Sequence, residues 1–387
     1  MEIAYSNDLL LLTSNNLKFY VIFYTKGLKI LKVGIALSGG VDSAVALYRL
    51  IKEGHEVKAY HMKTLKDDFF VKKSIKKKIC CSPSDTIDAI KIAKKFGVEL
   101  KIVDLSDPFR KLVIERFKDD LLKGLTPNPC VHCNRLIKFG ILMDQAIQDG
   151  MEYFSSGHFA NIVYSDKYKK NMIAKAKDHK KDQSYFLALL NPEKIDKLMF
   201  PNGKSTKEEN RKLAKEITLH VSEKPESQDV CFIPDGKIES FLLDEGIDER
   251  KGLIVDEDGK ILGNHRGYFL YTIGQRKGLR ISLGKKMYVK KTIARTNLVV
   301  VSPLEKVFFK GLVAVDPVWH AELPDEFEAT CKVRKKAQEV RCFVKRRGNE
   351  VIVEFEKEVF AVTPGQIAVF YDSDILLGGA IIKEGIE

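Results

Sequence analysis

The chain has 387 residues, room for two or three domains at roughly 100–200 residues each. Its 44% hydrophobic and 30% charged residues are those of an ordinary globular protein, and no apolar run approaches the ~18 residues needed to cross a membrane. The net charge of +12 points to a polyanionic partner, nucleic acid first.

In chain order, residues 1–31 come first and fit no domain pattern. Leu9–Leu12 and Phe19–Tyr24 are apolar, but Thr13, Ser14, Asn15 and Asn16 separate them. Acids at Glu2 and Asp8, and the lack of a small-residue cleavage pattern, argue against a secretory signal. Two readings stand: an appended, poorly ordered segment, or a mis-called start with Leu31 as the true initiation codon.

From Lys32 the texture is α/β. Val33-Gly34-Ile35-Ala36-Leu37 reads as a buried parallel strand, followed by Ser38-Gly39-Gly40-Val41-Asp42-Ser43 and an amphipathic helix ending at Gly54. Strand, Gly-rich turn and helix aim backbone N–H groups and a helix N-terminus at one spot, where an anion binds. No Lys follows the glycines, so the turn is not a GxxxxGK[ST] loop. Further strands are expected at 57–62 and 99–105, with helices at 85–96, 108–123 and 134–147, and Tyr153–Ser156 leads into Gly157 and His158. Such alternation predicts a doubly wound parallel sheet, with Ser38, Met62 and Gly157 at the strand C-terminal ends where ligands bind.

Past about residue 190 the alternation fades. Thr206–Ile217 reads as a basic helix, 242–278 as short and irregular, and the segments after Lys286 as several short strands. Turns such as Arg347-Gly348-Asn349 and Pro364-Gly365 separate them, which suggests a small closed β-barrel. The expected organisation is 1–31, 32–237, 238–303 and 304–387.

The seven cysteines are odd in number and no secretory signal precedes them. Reduced cytosolic thiols with catalytic or metal roles are therefore expected, and the protein is expected to be cytoplasmic. In Thr126-Pro127-Asn128-Pro129-Cys130-Val131-His132-Cys133-Asn134-Arg135, the two prolines are expected to hold off helix until Asn134. That puts Cys130 and Cys133 on a loop or at a helix entrance, where the positive helix end favours thiolate. A single C-x-x-C reads as a redox pair, half a zinc site or iron–sulfur ligands. Cys80 and Cys81 have no motif spacing and are expected to be structural.

The hexamer at 38–43, behind a buried strand, resembles the PP-loop of the ATP pyrophosphatase superfamily. Taken with TPNPCxxCNRxIKF (126–139), SGHF (156–159), KDQSYFL (181–187), SQDVCFI (227–233) and YTIGQRKGL (271–279), it resembles the tRNA-specific 2-thiouridylases from Lys32 to the C-terminal end. The resemblance implies a PP-loop catalytic domain, a central tRNA-binding domain and a β-barrel. It implies ATP and Mg²⁺ at Ala36, Leu37, Ser38, Gly39, Gly40, Val41, Asp42 and Ser43, with Met62 at the adenine and Gly157 at the nucleotide.

It further implies that Asn128, Pro129 and Cys130 border the target uridine, while His158, Lys181, Asp182 and Gln183 touch tRNA nearby. Arg334, Lys335 and Gln366 match tRNA contacts in the barrel, where Arg341, Lys345, Arg346 and Arg347 are further basic candidates for phosphates. Cys133 and Cys231 match the two family cysteines: Cys231 takes sulfur from a carrier or persulfide donor, and Cys133 helps release it through a disulfide. Position 130 is Cys where known members carry Asp, so Cys130, Cys133 and Cys231 are also candidate ligands of a 4Fe–4S cluster. The implied reaction is ATP-dependent thiolation of the wobble uridine, U34, in the anticodon loop. A lysidine-type ligase and a non-catalytic tRNA-binding protein are the alternatives.

Overall fold

The computed structural model describes residues 3–6, 9–14, 17–21, 29–66, 83–225, 230–233, 236–281 and 284–387. Cys80, Cys81 and 227–229 of the third cysteine motif lie outside these. Two compact units result, Met1–Leu31 and Lys32–Glu387. In the first, β1 (Ile3–Ser6), β2 (Leu9–Ser14) and β3 (Leu17–Val21) pair antiparallel in order.

The second unit begins with β4 (Lys32–Ala36), whose Val33 and Ile35 are wholly buried, as a strand covered on both faces requires. Helix α1 (Val41–Lys52) follows, packing Ala44, Val45, Leu47 and Leu50 into the core. Then come β5 (Glu56–Lys63), α2 (Pro83–Phe96), β6 (Leu100–Asp104), a helical run α3 (106–122) and a second, α4 (129–148). Strand β7 (Tyr153–Ser156) returns to the sheet, and β10 (Leu198–Met199) closes it. The strand order is β10-β7-β4-β5-β6, all parallel. From β4 the chain winds outward to β6 and then comes back to β7 on the other side. The crevice between the ends of β4 and β7 is thus a topological switch point, where such sheets bind ligands.

Helix α4 differs from expectation at its start. It begins at Pro129 and not at Asn134. Pro129 sits at the first helical position, where its missing N–H leaves nothing unpaired and its fixed φ suits the helix. Asn128, the residue before it, is extended, at φ −110°. Cys130 and Cys133 therefore lie within the first turns of a helix.

Between β7 and β10 a hairpin, β8 (Asn161–Ser165) with β9 (Lys170–Ala174), leaves the sheet altogether. Helix α5 (Lys207–Glu216) starts at a reciprocal cap: Thr206 Oγ1 accepts from Glu209 N and the Glu209 carboxylate accepts from Thr206 N. After α6 (Ile238–Asp244), the segment expected to be irregular contains β11 (Gly252–Val255) and β12 (Ile261–His265). These join β13 (Tyr288–Ile293) and β14 (Leu298–Ser302) in a four-stranded sheet ordered β12-β11-β14-β13.

The last part is the closed barrel. Strands β15 (Phe308–Trp319), β16 (Glu326–Lys332), β17 (Val340–Arg347), β18 (Glu350–Phe360), β19 (Ile367–Asp372) and β20 (Ile375–Ile386) run antiparallel in the order β15-β18-β17-β16-β19-β20, and β15 pairs β20 to close the ring. Closure removes free edges. Leu312, Val344, Val353, Phe370 and Ile382 fill the interior. The β8–β9 hairpin attaches through Ala174 to Ile375 of β20, tying barrel to sheet.

Candidate functional site

At the switch point, Gly39 and Gly157 are required by space as well as by conformation. Gly39 has φ +73°, and a Cβ there would fall 2.2 Å from the Asp85 carbonyl oxygen. A Cβ on Gly157 would fall 2.6 Å from Ser43 N, so β7 reaches the start of α1 only without a side chain. No side chain caps the start of α1. Ser43 Oγ accepts from Ser38 N (3.2 Å) and donates to Gly40 O (3.0 Å), bracing the turn from within.

Charges surround this turn. Lys207 Nζ, at the first residue of α5, donates to both Asp42 carboxylate oxygens at 2.8 and 2.6 Å. Lys224 Nζ donates to Gly39 O (3.0 Å), Asp85 Oδ1 (2.5 Å) and Asp88 Oδ2 (2.6 Å). Burial works against charge at Asp88, but its bonds to Lys224 and His220 hold its carboxyl below the usual range; burial is likewise outweighed at Lys224, which is raised. The fully buried Asn202 donates to Asp42 O (2.9 Å) and Gly157 O (3.0 Å), joining the ends of α1 and β7. Arg49 holds Asn202 Oδ1 (2.8 Å), Ser205 Oγ (2.8 Å) and Asn210 Oδ1 (2.9 Å). On the other side, His61 ring nitrogens meet Leu37 O (2.8 Å) and Thr86 Oγ1 (3.0 Å), and burial lowers its pKa.

One cavity of about 480 Å³ opens from this turn. Ala36, Leu37, Ser38, Gly40, Val41, Asp42, Ser43, Met62 and Gly157 line it, and so do Cys130, Cys133, Cys231, Pro129, His158, Lys181 and Gln183. The nucleotide, cysteine and uridine candidates of the sequence thus converge. Cys130 is exposed, while Cys133 and Cys231 are half-buried. Val131 and Ile137, wholly buried, seat the helix that carries Cys133. Cys231 is anchored by Phe232, whose ring meets Phe109, Phe117 and Phe241 at centroid distances of 6.0, 5.3 and 5.4 Å. Among the described residues no group of three or more His, Cys, Asp or Glu is placed to hold a metal ion, so the cluster reading of the three cysteines finds no support here.

Apart from His158, which lines the cavity, the remaining candidates stand outside its wall. Asp182 is buried and accepts from Ala176 N (3.0 Å) and Ser184 Oγ (2.7 Å), which holds the 181–183 turn in place. Asn128 lies beside Tyr185, whose hydroxyl donates to Ile367 O (3.1 Å). Lys335 Nζ donates to Asp182 O (2.5 Å) and lies over the Phe186 ring, and burial lowers its pKa. Arg334 covers the Phe360 ring at 5.5 Å. Gln366 Nε2 donates to Thr126 O (2.8 Å), and Thr126 N donates to Pro364 O (2.8 Å), so the barrel is pinned to the loop that leads into Cys130. His158 is buried beside Ser156 Oγ (2.7 Å), with its pKa well below the usual value through burial. Lys207, Lys224, Asn202 and Arg49 have no signature in the sequence reading. The only available clue was Thr206-Lys207-Glu208-Glu209, a capping-box pattern that starts a helix at Lys207.

Three family models match the chain in succession. These are a tRNA methyl transferase HUP domain over 31–235, a tRNA methyl transferase PRC-barrel domain over 239–303, and an aminomethyltransferase beta-barrel domain over 309–382. The chain is 63% identical over 357 residues to the tRNA-specific 2-thiouridylase MnmA of Thermotoga neapolitana, covering 92% of this chain and 100% of that protein. Its identity to the protein of the same name from Fervidobacterium nodosum is 49% over 352 residues, covering 91% and 99%. For the Caldicellulosiruptor saccharolyticus protein, also so named, it is 41% over 358 residues, covering 92% and 99%.

Proposed function

The chain belongs to the tRNA-specific 2-thiouridylase family, and we propose that it replaces the C2 oxygen of the wobble uridine of tRNA, U34, with sulfur, consuming ATP and releasing AMP and pyrophosphate. The observation that carries this reading is the convergence of the 38–43 turn, Cys133 and Cys231 on one cavity. The alternatives, a lysidine-type ligase or a non-catalytic binder, call for no cysteine pair beside the nucleotide turn.

The uridine C2 oxygen is a poor leaving group and must be activated. Uncapped N–H groups at the start of α1, with Ser38 and Ser43, would cradle a pyrophosphate, and the lack of side chains at Gly39 and Gly157 supports its close approach. Asp42 lines the same cavity and offers hard oxygen donors that suit Mg²⁺. Mg²⁺ bound there would neutralise charge on the departing pyrophosphate. Attack of the C2 oxygen on the α-phosphorus gives an adenylate and frees pyrophosphate.

A sulfur carrier or persulfide donor charges Cys231, whose terminal sulfur attacks C2 as AMP leaves. The Cys133 thiolate then attacks the Cys231 sulfur, leaving 2-thiouridine and a Cys133–Cys231 disulfide that an external thiol must reduce. A persulfide is the stronger nucleophile at neutral pH, and the half-burial of Cys231 keeps it reachable from the cavity. Helix α4 places Cys133 in its first turns, where the positive end favours thiolate. The base enters from an anticodon loop, where it can be splayed from the stack. Arg334, Lys335 and Gln366 of the barrel and Lys181 beside the cavity are the proposed RNA contacts.

The test is a 2-thiouridine assay with tRNA, ATP, Mg²⁺ and a persulfide donor, comparing wild type with Cys231→Ser. AMP released together with 2-thiouridine, and a loss of at least about a thousandfold in the variant, is the expected result. Full thiolation by Cys231→Ser overturns the sulfur assignment.

A further inference from the structure

Asp42 poses an electrostatic problem. It places a carboxylate in the first turn of α1, at the spot where the N–H groups are arranged to receive a polyphosphate. Alone it would repel the ligand. Lys207 cancels it, with Nζ contacting both oxygens at 2.8 and 2.6 Å and its side chain only 9% exposed. The ammonium is shielded while the Asp42 carboxylate, 30% exposed, stays open to the cavity, so the pair is held more firmly than one wholly at the surface.

Lys207 combines a fixed backbone with a long side chain. The backbone of Lys207 is fixed by the Thr206–Glu209 cap and by its own N–H bond to Asp178 Oδ2 (3.0 Å). Its ammonium ends a flexible four-carbon stem and faces the cavity. The ring of Phe159, another cavity residue, lies 5.9 Å away and offers the ammonium a further favourable surface.

We propose that Lys207 is a counter-ion gate on Asp42. In the nucleotide-free protein it occupies both carboxylate oxygens and keeps a lone divalent cation off them. When the metal–nucleotide complex arrives, its metal takes the carboxylate and the ammonium turns to the pyrophosphate oxygens. The logic is charge balance: with the ammonium across both carboxylate oxygens a lone divalent cation meets a neutralised donor, whereas a polyphosphate has charge enough for both cations. A hydrated Mg²⁺ sheds its water reluctantly, and without phosphates to bind it gains too little to expel the lysine. Metal and nucleotide are thereby made to enter together. This inference rests on the reading of 36–43 as the ATP site.

Mn²⁺ binding to the full chain, followed by the paramagnetic resonance signal of the free ion, tests it with and without a non-cleavable α,β-methylene ATP. Wild type is expected to bind Mn²⁺ weakly until the analogue is added. Lys207→Met is expected to bind Mn²⁺ at least about tenfold tighter without nucleotide, and the gain disappears in Lys207→Met/Asp42→Asn. The same variant is expected to bind the analogue about tenfold more weakly, with Lys207→Arg recovering exclusion of the lone metal. Lys207→Gln, which keeps a donor for Asp42 but no charge, replaces the methionine variant should that one not fold. Unchanged Mn²⁺ affinity in the nucleotide-free Met or Gln variant overturns the gate, as does a gain that survives Asp42→Asn. Wild type that binds no analogue at all overturns the ATP reading itself, and the gate with it.

Discussion

The parallel-sheet region and the barrel handle charge in opposite ways. Around the 38–43 turn, ionised groups are drawn inward and matched: Lys207 with Asp42, Lys224 with Asp85 and Asp88, and Arg49 with three polar side chains around Asn202. The barrel interior holds apolar side chains and the thiols of Cys331 and Cys342, while ion pairs such as Lys345–Glu354 and Lys383–Glu350 lie at its surface. Inward charges are costly unless paired and contribute little net stability once paired. Their place at one crevice is therefore better explained by chemistry than by folding. The barrel's surface charges suit contact with a long polyanion, and its core supplies rigidity.

If that division holds, damage in one region should leave the other's readout intact. Phe370→Ala, which empties a wholly buried ring position in the barrel, is expected to cost about 4 kcal/mol in denaturant unfolding. Binding of an ATP analogue to the folded fraction should not change, and a parallel loss of nucleotide binding would break the comparison. Next is acid. His320 has no exposure, and burial lowers its pKa to about 4 from 6.5. The unfolded chain takes up this proton near pH 6.5 and the folded chain only near pH 4. This stability is therefore complete above about pH 6.5 and is lost as pH falls toward 4, by about 3 kcal/mol. Unfolding curves across that window should flatten in His320→Leu.

Gly157→Ala acts on the crevice. The added Cβ would meet Ser43 N and force the ends of β7 and α1 apart. A loss of about a hundredfold in kcat/KM for ATP is expected, with the denaturant midpoint of the barrel unmoved. Smallest is Gln366→Ala, which removes the bond to Thr126 O between barrel and cysteine loop. About 1 kcal/mol, or roughly fivefold in kcat/KM for tRNA with nucleotide affinity unchanged, is expected in steady-state assays.

The same contrast decides what could be read in the sequence. Contiguous motifs translated directly: a buried strand, a glycine turn and a helix can hardly be arranged otherwise, and the C-x-x-C spacing puts both thiols on one short segment. Periodicity also revealed the alternating sheet region and the strand-rich end. Pairings over long distances did not show. Lys207 meets Asp42 across 165 positions, and Asn202 meets it across 160, through contacts that no local pattern encodes. Thr206–Glu209 announced a helix start, but nothing in it said which loop that start would face. The β8–β9 hairpin was missed for the same reason, since its place beside β20 is set by tertiary docking. At Pro129 the error was local: a proline was read as a breaker where it opens a helix.

Asn202 has one more implication. Its amide nitrogen serves two carbonyls, one at the start of α1 and one just past β7, and water does not reach it. Hydrolysis of that amide to a carboxylate would change a single heavy atom and leave the shape intact. Two hydrogen bonds would become an oxygen facing two oxygens, with a negative charge added among them. The fastener would turn into a wedge at the mouth of the nucleotide crevice. The burial that keeps water from this amide therefore guards the chemistry of the joint as well as its shape.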